Sequence, residues 1–375
     1  MTKPQPKKAT GPTLVIGQDK FSEALAKIQG AIESKTTIPV LSTILIQHIA
    51  DKKIRLTATD LDLTITLDVE ADDVPNGWTA CLQGKKLNEI AKFLPEGTAT
   101  LVLEENNWVD LTCGRAHYRL PGADVRTFPE LPKPLATPVI LNGELLRRML
   151  RLTLFAVTNE VSRFTLSGCK FEVEKGKIRC VSTDGHRLSF VEADIDSDAK
   201  VDVIVPKKAL QQVSRLDVEE YTFGHDSRHA HFATTDMLIR TRLLTGSFPN
   251  YQMVLPKDAD RTVTLPVGDL TPAIKRASAI ADGRLQSVSL EFRSNGELSI
   301  EASIPDMGEC EETLPLLSFK GDAITLKYNW HYLADLLVGV GADKNITLKF
   351  KDALSQTEFG IEGDESFRHI IMPLR

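Results

Sequence analysis

The chain has 375 residues, a formal net charge of −6, 42% hydrophobic residues and 26% charged residues. That is the composition of a soluble globular protein too long for a single core, and no apolar run approaches the roughly 18 residues of a membrane helix. Five cysteines, an odd number with no CxxC spacing, argue against a disulfide scaffold or a zinc site and for free thiols in a reducing cytoplasm.

Residues 1–12, "MTKPQPKKATGP", lack a hydrophobic segment and read as a disordered basic tail, not a secretory signal. From Thr13 an amphipathic helix, a hydrophobic strand and the segment "KIRLTATDLDLTI" (53–65) follow, then the helix "GKKLNEIAKFL" (84–94) and a meander of strands. After the proline-rich stretch "FPELPKPLATP" (128–138) the order recurs. The helix "ELLRRMLRLTLFAV" (144–157) precedes "KIRCVSTDGHRLSF" (177–190), and the helix "PKKALQQVSRL" starts at Pro206. After "LPKDADRT" (255–262) it recurs again, with "ELSIEASIPDMGEC" (297–310) and the helix "YNWHYLADLL" from Tyr328.

The aspartates of the three copies, Asp60, Asp184 and Asp306, are 124 and 122 residues apart, and the second helices start 122 residues apart each time. Such a period is the length of a domain, not of a solenoid repeat. The boundaries read as a tail over 1–12 and domains over 13–136, 137–256 and 257–375. Each copy has two helices on one face of antiparallel sheet, an α+β layer design. The short, proline-stiffened linkers imply fixed geometry between copies.

The negative total hides a segregated field. Arg147, Arg148 and Arg151 share one helix face, opposite Leu146, Met149 and Leu150. Lys208, Gln211, Gln212 and Arg215 lie opposite Leu210 and Val213, and Lys85, Lys86 and Lys92 opposite Leu87 and Ile90. Acidic residues gather in loops and strands, as in "EADIDSD" (192–198). A basic helical layer on an acidic body suits sequence-neutral phosphate contact.

Catalytic readings are weak. Asp184, His186 and Ser189 sit on one strand–turn segment without a GxSxG elbow, and His225, His229 and His231 in "HDSRHAH" fall at an expected turn without a fourth ligand. There is no P-loop or GxGxxG, so no nucleotide, metal or other cofactor is expected.

"TIPVLSTILI" (37–46), "TATDLDLTI" (57–65), "LPGADVRTFPELP" (120–132), "RFTLSG" (163–168), "VSTDGHRLSF" (181–190), "VIVPKKAL" (203–210), "GSFPNYQMVLP" (246–256) and the terminal "IIMPLR" together resemble the bacterial sliding clamp, the β subunit of DNA polymerase III. The resemblance covers nearly the whole chain after the first dozen residues. It implies the DNA clamp fold, with three like domains per chain and two chains closing head to tail into a ring around double-stranded DNA. It implies a processivity factor without catalysis, located in the cytoplasm. The implied partners are the polymerase III catalytic subunit, the clamp loader and other clamp-motif proteins of replication and repair, with no membrane.

By the same resemblance a peptide groove would use Leu166, Thr183, Gly185, His186, Arg187 and Leu188, then Pro249, Met253 and Val254, and a far wall of Ile370, Met372, Pro373, Leu374 and Arg375. DNA contact would fall to Lys35, Arg147, Arg148, Arg151, Lys208 and Arg215. Two departures stand out: the chain stops at Arg375 where many relatives carry one more hydrophobic residue, and Met253 replaces a basic residue of some relatives. The competing reading is a diverged paralogue that binds peptides but no longer encircles DNA.

Ring closure requires two different surfaces to meet. "CGRAHYRL" (113–120) alternates Arg115, His117 and Arg119 around Tyr118, and "GECEET" (308–313) carries Glu309, Glu311 and Glu312. Opposite charge on two strand edges makes these the expected dimer interface.

Overall fold

The computed structural model describes residues 10–33, 36–130, 139–158, 160, 162–256, 258–281, 286–305 and 308–375. Two compact units emerge: residues 1–140 with 218–242, and residues 141–217 with 243–375. The division runs through the middle copy of the repeat, and strand pairing explains why. The last strand of the middle copy, Met237–Arg242, pairs with Leu63–Glu70 of the first. The last strand of the third copy, Asp364–Ile371, pairs in the same way with Arg187–Asp194 of the middle one. The middle and third copies therefore each join the sheet of the copy before them through their final strand.

In the first unit, helices α1 (Gln18–Ile28) and α2 (Gly84–Phe93) pack together. Helix α1 buries Phe21, Leu25 and Ile28, and α2 buries Leu87 and Ile90, the apolar positions expected from a 3.6-residue period. A four-stranded antiparallel sheet runs in the order Thr13–Gly17, Thr98–Leu103, Val109–Cys113, Ala116–Leu120. A larger sheet includes Lys53–Thr59 between Thr43–Ala50 and Leu63–Glu70.

The second unit carries α3 (Gly143–Thr153), α4 (Lys207–Val213), α5 (Val267–Ala281) and α6 (Trp330–Val340). Asn142 caps α3 by accepting the Leu145 N–H at 2.9 Å, and Asn329 caps α6 by accepting the His331 N–H at 2.9 Å. Nine strands form one sheet with Arg187–Asp194 and Asp364–Ile371 at its centre. A second sheet of four strands ends on Gly308–Pro315.

The repeated aspartate has a local job. Asp60 Oδ1 accepts the N–H groups of Asp62 and Leu63 at 2.9 and 2.6 Å, and Asp184 Oδ1 accepts those of His186 and Arg187 at 2.9 and 3.0 Å. Each closes the turn between two strands with its own side chain. Asp306 lies outside the described residues. The cysteines are free thiols, and Cys81, Cys113, Cys169 and Cys180 are buried.

Candidate nucleic-acid and peptide-binding surfaces

The turn at 184–187 sits at the edge of an apolar cluster. Val181, Leu188, Tyr251 and Ile370 are buried together, with Phe190, Phe248 and Leu255 packed against them. Tyr251 stacks obliquely on Phe190 at 5.8 Å, and its hydroxyl donates to Glu172 Oε2 at 2.6 Å. Burial and that carboxylate push the Tyr251 hydroxyl well above its ordinary pKa. Around this floor the apolar rim is open to water: Met253 is 79% exposed, Met372 42%, Leu374 37% and Val254 36%, and Pro249 is exposed beside them. Leu166, 9% exposed, is the buried end of a short 3-10 turn, Phe164–Leu166.

The terminal residues are held by backbone bonds. The Met372 N–H donates to the His186 carbonyl at 3.2 Å, and the Leu374 N–H to the Lys327 carbonyl at 2.7 Å. Pro373 is half-buried and Arg375 exposed. Thr183 Oγ1 donates to the Arg187 carbonyl at 2.6 Å and accepts the Gly185 N–H at 3.0 Å. Gly185 has φ +91°, and a Cβ there would come within 2.7 Å of Arg163 Nη1. Arg163 in turn donates to the Asp184 carbonyl at 2.6 Å. The turn needs glycine on both counts.

Of the expected groove residues, Leu188 and Ile370 share the buried cluster, His186 is bonded to Met372, and Arg187 has a structural role. Arg187 is buried rather than on the rim, because acceptors surround it. It donates to Asp184 Oδ2 at 3.0 Å, Asp335 Oδ2 at 2.8 Å and the Phe155 carbonyl at 2.7 Å, and lies over the Tyr332 ring at 4.5 Å. The aromatic floor, Phe190, Phe248 and Tyr251, was not among the expected site residues. "FPNY" carries Phe248 and Tyr251, and "VSTDGHRLSF" ends on Phe190.

The three arginines of α3 share a face, but each has a protein partner. Arg147 donates to the Leu216 carbonyl at 3.2 Å and pairs with Asp217 at 3.0 Å. Arg148 pairs with Asp364 and reaches Ser366 Oγ at 3.1 Å. Arg151 donates to the carbonyls of Gly339 and Val340, capping the C-terminus of α6. On and just after α4, Lys208, Gln211 and Arg215 are exposed, while Gln212 is 9% exposed and faces inward, against expectation. Lys35 lies outside the described residues. Between α3 and α4 a cleft of about 810 Å³ is lined by Glu144, Arg147, Arg148, Arg151 and Lys207, with Leu150, Leu154 and Phe155 as apolar wall.

Both expected edges are terminal strands of their sheets. Ala116–Leu120 pairs on one side, with Val109–Cys113, and Gly308–Pro315 on one side, with Glu297–Ile304. His117 and Arg119 are exposed on one face of the strand and follow exposed Arg115, while Tyr118 is half-buried on the other face. Arg119 pairs with Glu104 at 2.9 Å and stacks over Trp108 at 4.6 Å; His117 lies 3.6 Å from Asp110. Glu309 and Glu311 are exposed on one face. Glu312 points the other way and pairs with Arg276 of α5, which lowers its pKa. Alternation along the strand separates it from the other two.

The hydrolytic and metal-binding sets do not assemble on the described residues. Ser189 is fully buried and donates to the Leu152 carbonyl, away from exposed His186. His225, His229 and His231 flank a hairpin turn, with His231 buried and its pKa lowered by that burial.

Sequence profiles of the DNA polymerase III beta subunit match along the chain: its N-terminal domain at residues 13–132, its central domain at 140–250 and its C-terminal domain at 252–375. The beta sliding clamp of Vibrio cholerae is 28% identical over 370 residues, covering 96% of this chain and 99% of the relative. That of Pseudomonas putida is 27% identical over 369 residues, with the same coverage. Among solved structures, the DNA polymerase III subunit beta of Pseudomonas aeruginosa is similar with a TM-score of 0.88, 27% identity and coverage of 97% of this chain and 100% of that one. The Bacillus subtilis DNA polymerase sliding clamp is similar with a TM-score of 0.90, 25% identity and coverage of 98% and 100%.

Proposed function

The chain belongs to the DNA polymerase III beta subunit family, the beta sliding clamps, and we propose that it works as a head-to-tail homodimeric ring around duplex DNA. It is a sliding clamp, a non-catalytic accessory subunit of the polymerase. A clamp must hold DNA without reading it. Lysine and arginine contacts to phosphate do this, because they set position and carry no sequence information. Lys208 and Arg215, the exposed cations on and just after α4, serve this role, with Arg147 beside them.

Three domains, 13–136, 137–256 and 257–375, follow a tail over 1–12. The ring closes where the strand Ala116–Leu120, with Arg115, His117 and Arg119, meets the partner's strand bearing Glu309 and Glu311. Two terminal strands of opposite charge support this assignment. The polymerase catalytic subunit, the clamp loader and other clamp-motif proteins dock extended peptides on the surface around Leu188, Tyr251 and Ile370. No helix among the described residues is long and apolar enough to cross a membrane, and the cytoplasm is the proposed location.

One observation carries the peptide reading: Met253, Met372 and Leu374 are exposed on the segments that continue from Tyr251 and Ile370 of a buried aromatic and aliphatic cluster. Apolar side chains left in water around a preformed floor are what an extended peptide with alternating apolar anchors covers. The test is fluorescence anisotropy of a labelled clamp-motif peptide with full-length protein and with Leu188→Asp. Micromolar binding to the first and none to the second is expected. Equal binding to both would move the site elsewhere.

A further inference from the structure

The cleft between α3 and α4 combines cationic and apolar groups. Its rim carries the guanidinium groups of Arg147, Arg148 and Arg151 with one lining carboxylate, Glu144, while Asp217 and Asp364 pair with Arg147 and Arg148. Each arginine is anchored by two protein acceptors, so the cations are preorganised, and a guanidinium carries five N–H donors in a fixed fork. Lys207 stands in the same cleft, half-buried at the start of α4, with its Nζ 3.4 Å from the Val157 carbonyl. Leu150, Leu154 and Phe155 supply an apolar wall beside it. Cationic rim, apolar wall and primary amine share one open space of about 810 Å³.

We propose that Lys207 is an acylation site for small acyl phosphates, whose phosphate is seated by the α3 arginines. The parts match the reagent. An acyl phosphate has a dianionic head for guanidinium donors, a short apolar acyl group and an electrophilic carbonyl carbon between them. The neutral ε-amine of Lys207 attacks that carbon. A C–N bond forms and the C–O bond to phosphate breaks. Inorganic phosphate leaves with the electron pair, and the amine's surplus proton passes to phosphate or solvent. No oxidant or reductant is involved.

Reactivity requires the amine to shed its proton, and the surroundings favour this. Burial lowers the Lys207 pKa, and the nearby Arg187 charge lowers it further against the opposing effect of Asp335. The neighbouring Lys208 is exposed and serves as an internal reference in the same helix.

The test needs no variant and no DNA, so its outcome is independent of the clamp reading. Full-length protein is incubated with acetyl phosphate, and modification of Lys207 and Lys208 is followed by fragment-level mass spectrometry. Parallel runs add inorganic phosphate as competitor or replace acetyl phosphate with p-nitrophenyl acetate, which lacks the phosphate. Lys207 is expected to react at least about threefold faster than Lys208 with acetyl phosphate, because the bound reagent is held near the amine. Phosphate should slow Lys207 and leave Lys208 unchanged, and the preference should shrink with the neutral ester. Equal rates at the two lysines, or a Lys207 rate indifferent to phosphate, overturns the proposal.

Discussion

Arg187 Nη1 meets Asp335 Oδ2 at 2.8 Å while its Nε holds Asp184 Oδ2 at 3.0 Å, so one guanidinium ties the 184–187 turn to helix α6. The Phe155 carbonyl takes a third N–H, and the Tyr332 ring lies beneath the plane. Replacing Arg187 by Ala strands a buried acceptor set and should cost about 3 kcal/mol. Asp335→Asn, at a half-exposed carboxylate, should cost about 1 kcal/mol or less. Urea denaturation of both variants checks the ranking. A smaller loss for Arg187→Ala than for Asp335→Asn would show that the pair does not anchor the turn.

Much of this architecture is legible in the chain. The 122-residue period locates the second helices of all three copies, and they run over Gly84–Phe93, Lys207–Val213 and Trp330–Val340. The turn of "TDGHRL" and the terminal "IIMPLR" read as one surface, and the backbone bond from Met372 to His186 joins them. What stays hidden is partnership. Helical spacing puts Arg148 and Arg151 on an outward face, but no local pattern shows that Asp364 and the end of α6 reach that face from about 200 residues away. Nor does alternation within one strand show that Arg276 takes Glu312.

Arg148 and Arg151, held by acceptors distant in sequence, are one class of basic residue, and exposed Lys208 and Arg215 are the other. Lys208→Ala with Arg215→Ala should leave stability within about 0.5 kcal/mol, because exposed charges contribute little. It should also flatten the slope of log affinity for DNA against log salt by about 0.9 for each phosphate no longer neutralised. Arg148→Ala and Arg151→Ala should instead lower the unfolding midpoint, since each leaves a partly buried acceptor without its donor. Salt titrations of DNA binding, paired with denaturation curves, resolve the two outcomes. Identical behaviour of all these variants would refute the division.

His369 makes stability depend on pH. Its ring is fully buried between Phe155 at 5.2 Å and Phe359 at 6.4 Å, and neither ring nitrogen has a hydrogen-bond partner among the described residues. Burial, helped by the Arg187 charge, holds its pKa well below the usual value. The folded chain thus keeps His369 neutral where the unfolded chain takes up a proton. Stability contributed by this site is complete above about pH 6.5 and falls as pH drops below it, by up to about 1.4 kcal/mol per pH unit. His369→Phe should remove that part of the acid-side slope. Unfolding free energies at pH 7.5 and 5.5 for both proteins measure it, and an unchanged difference would place the slope in other groups.

Ring closure can be tested where the charges are exposed. Glu309→Lys with Glu311→Lys should weaken the dimer by several kcal/mol if the two edges meet and desolvate their charges. Glu312→Lys should act through the fold of its own chain, because Arg276 is its partner. Sedimentation at nanomolar concentration reads the first, and a double variant that stays dimeric would reassign the edge.

Removal of Met372 to Arg375 should abolish peptide binding and leave the dimer intact. These residues follow the last strand, Asp364–Ile371, whose pairing with Arg187–Asp194 needs none of them. They are held by backbone bonds to His186 and Lys327, so deletion removes two hydrogen bonds, at about 1 kcal/mol each. The larger loss is at the surface: Met372 and Leu374 form one side of the apolar rim, and without them a docked peptide leaves its anchors against water. An extended peptide gives up chain entropy on docking, so wild-type affinity should be micromolar and a missing wall should leave no measurable binding. Calorimetry with the truncated protein decides the point, since unchanged affinity would mean that Met253 and Tyr251 suffice and the terminal wall is dispensable.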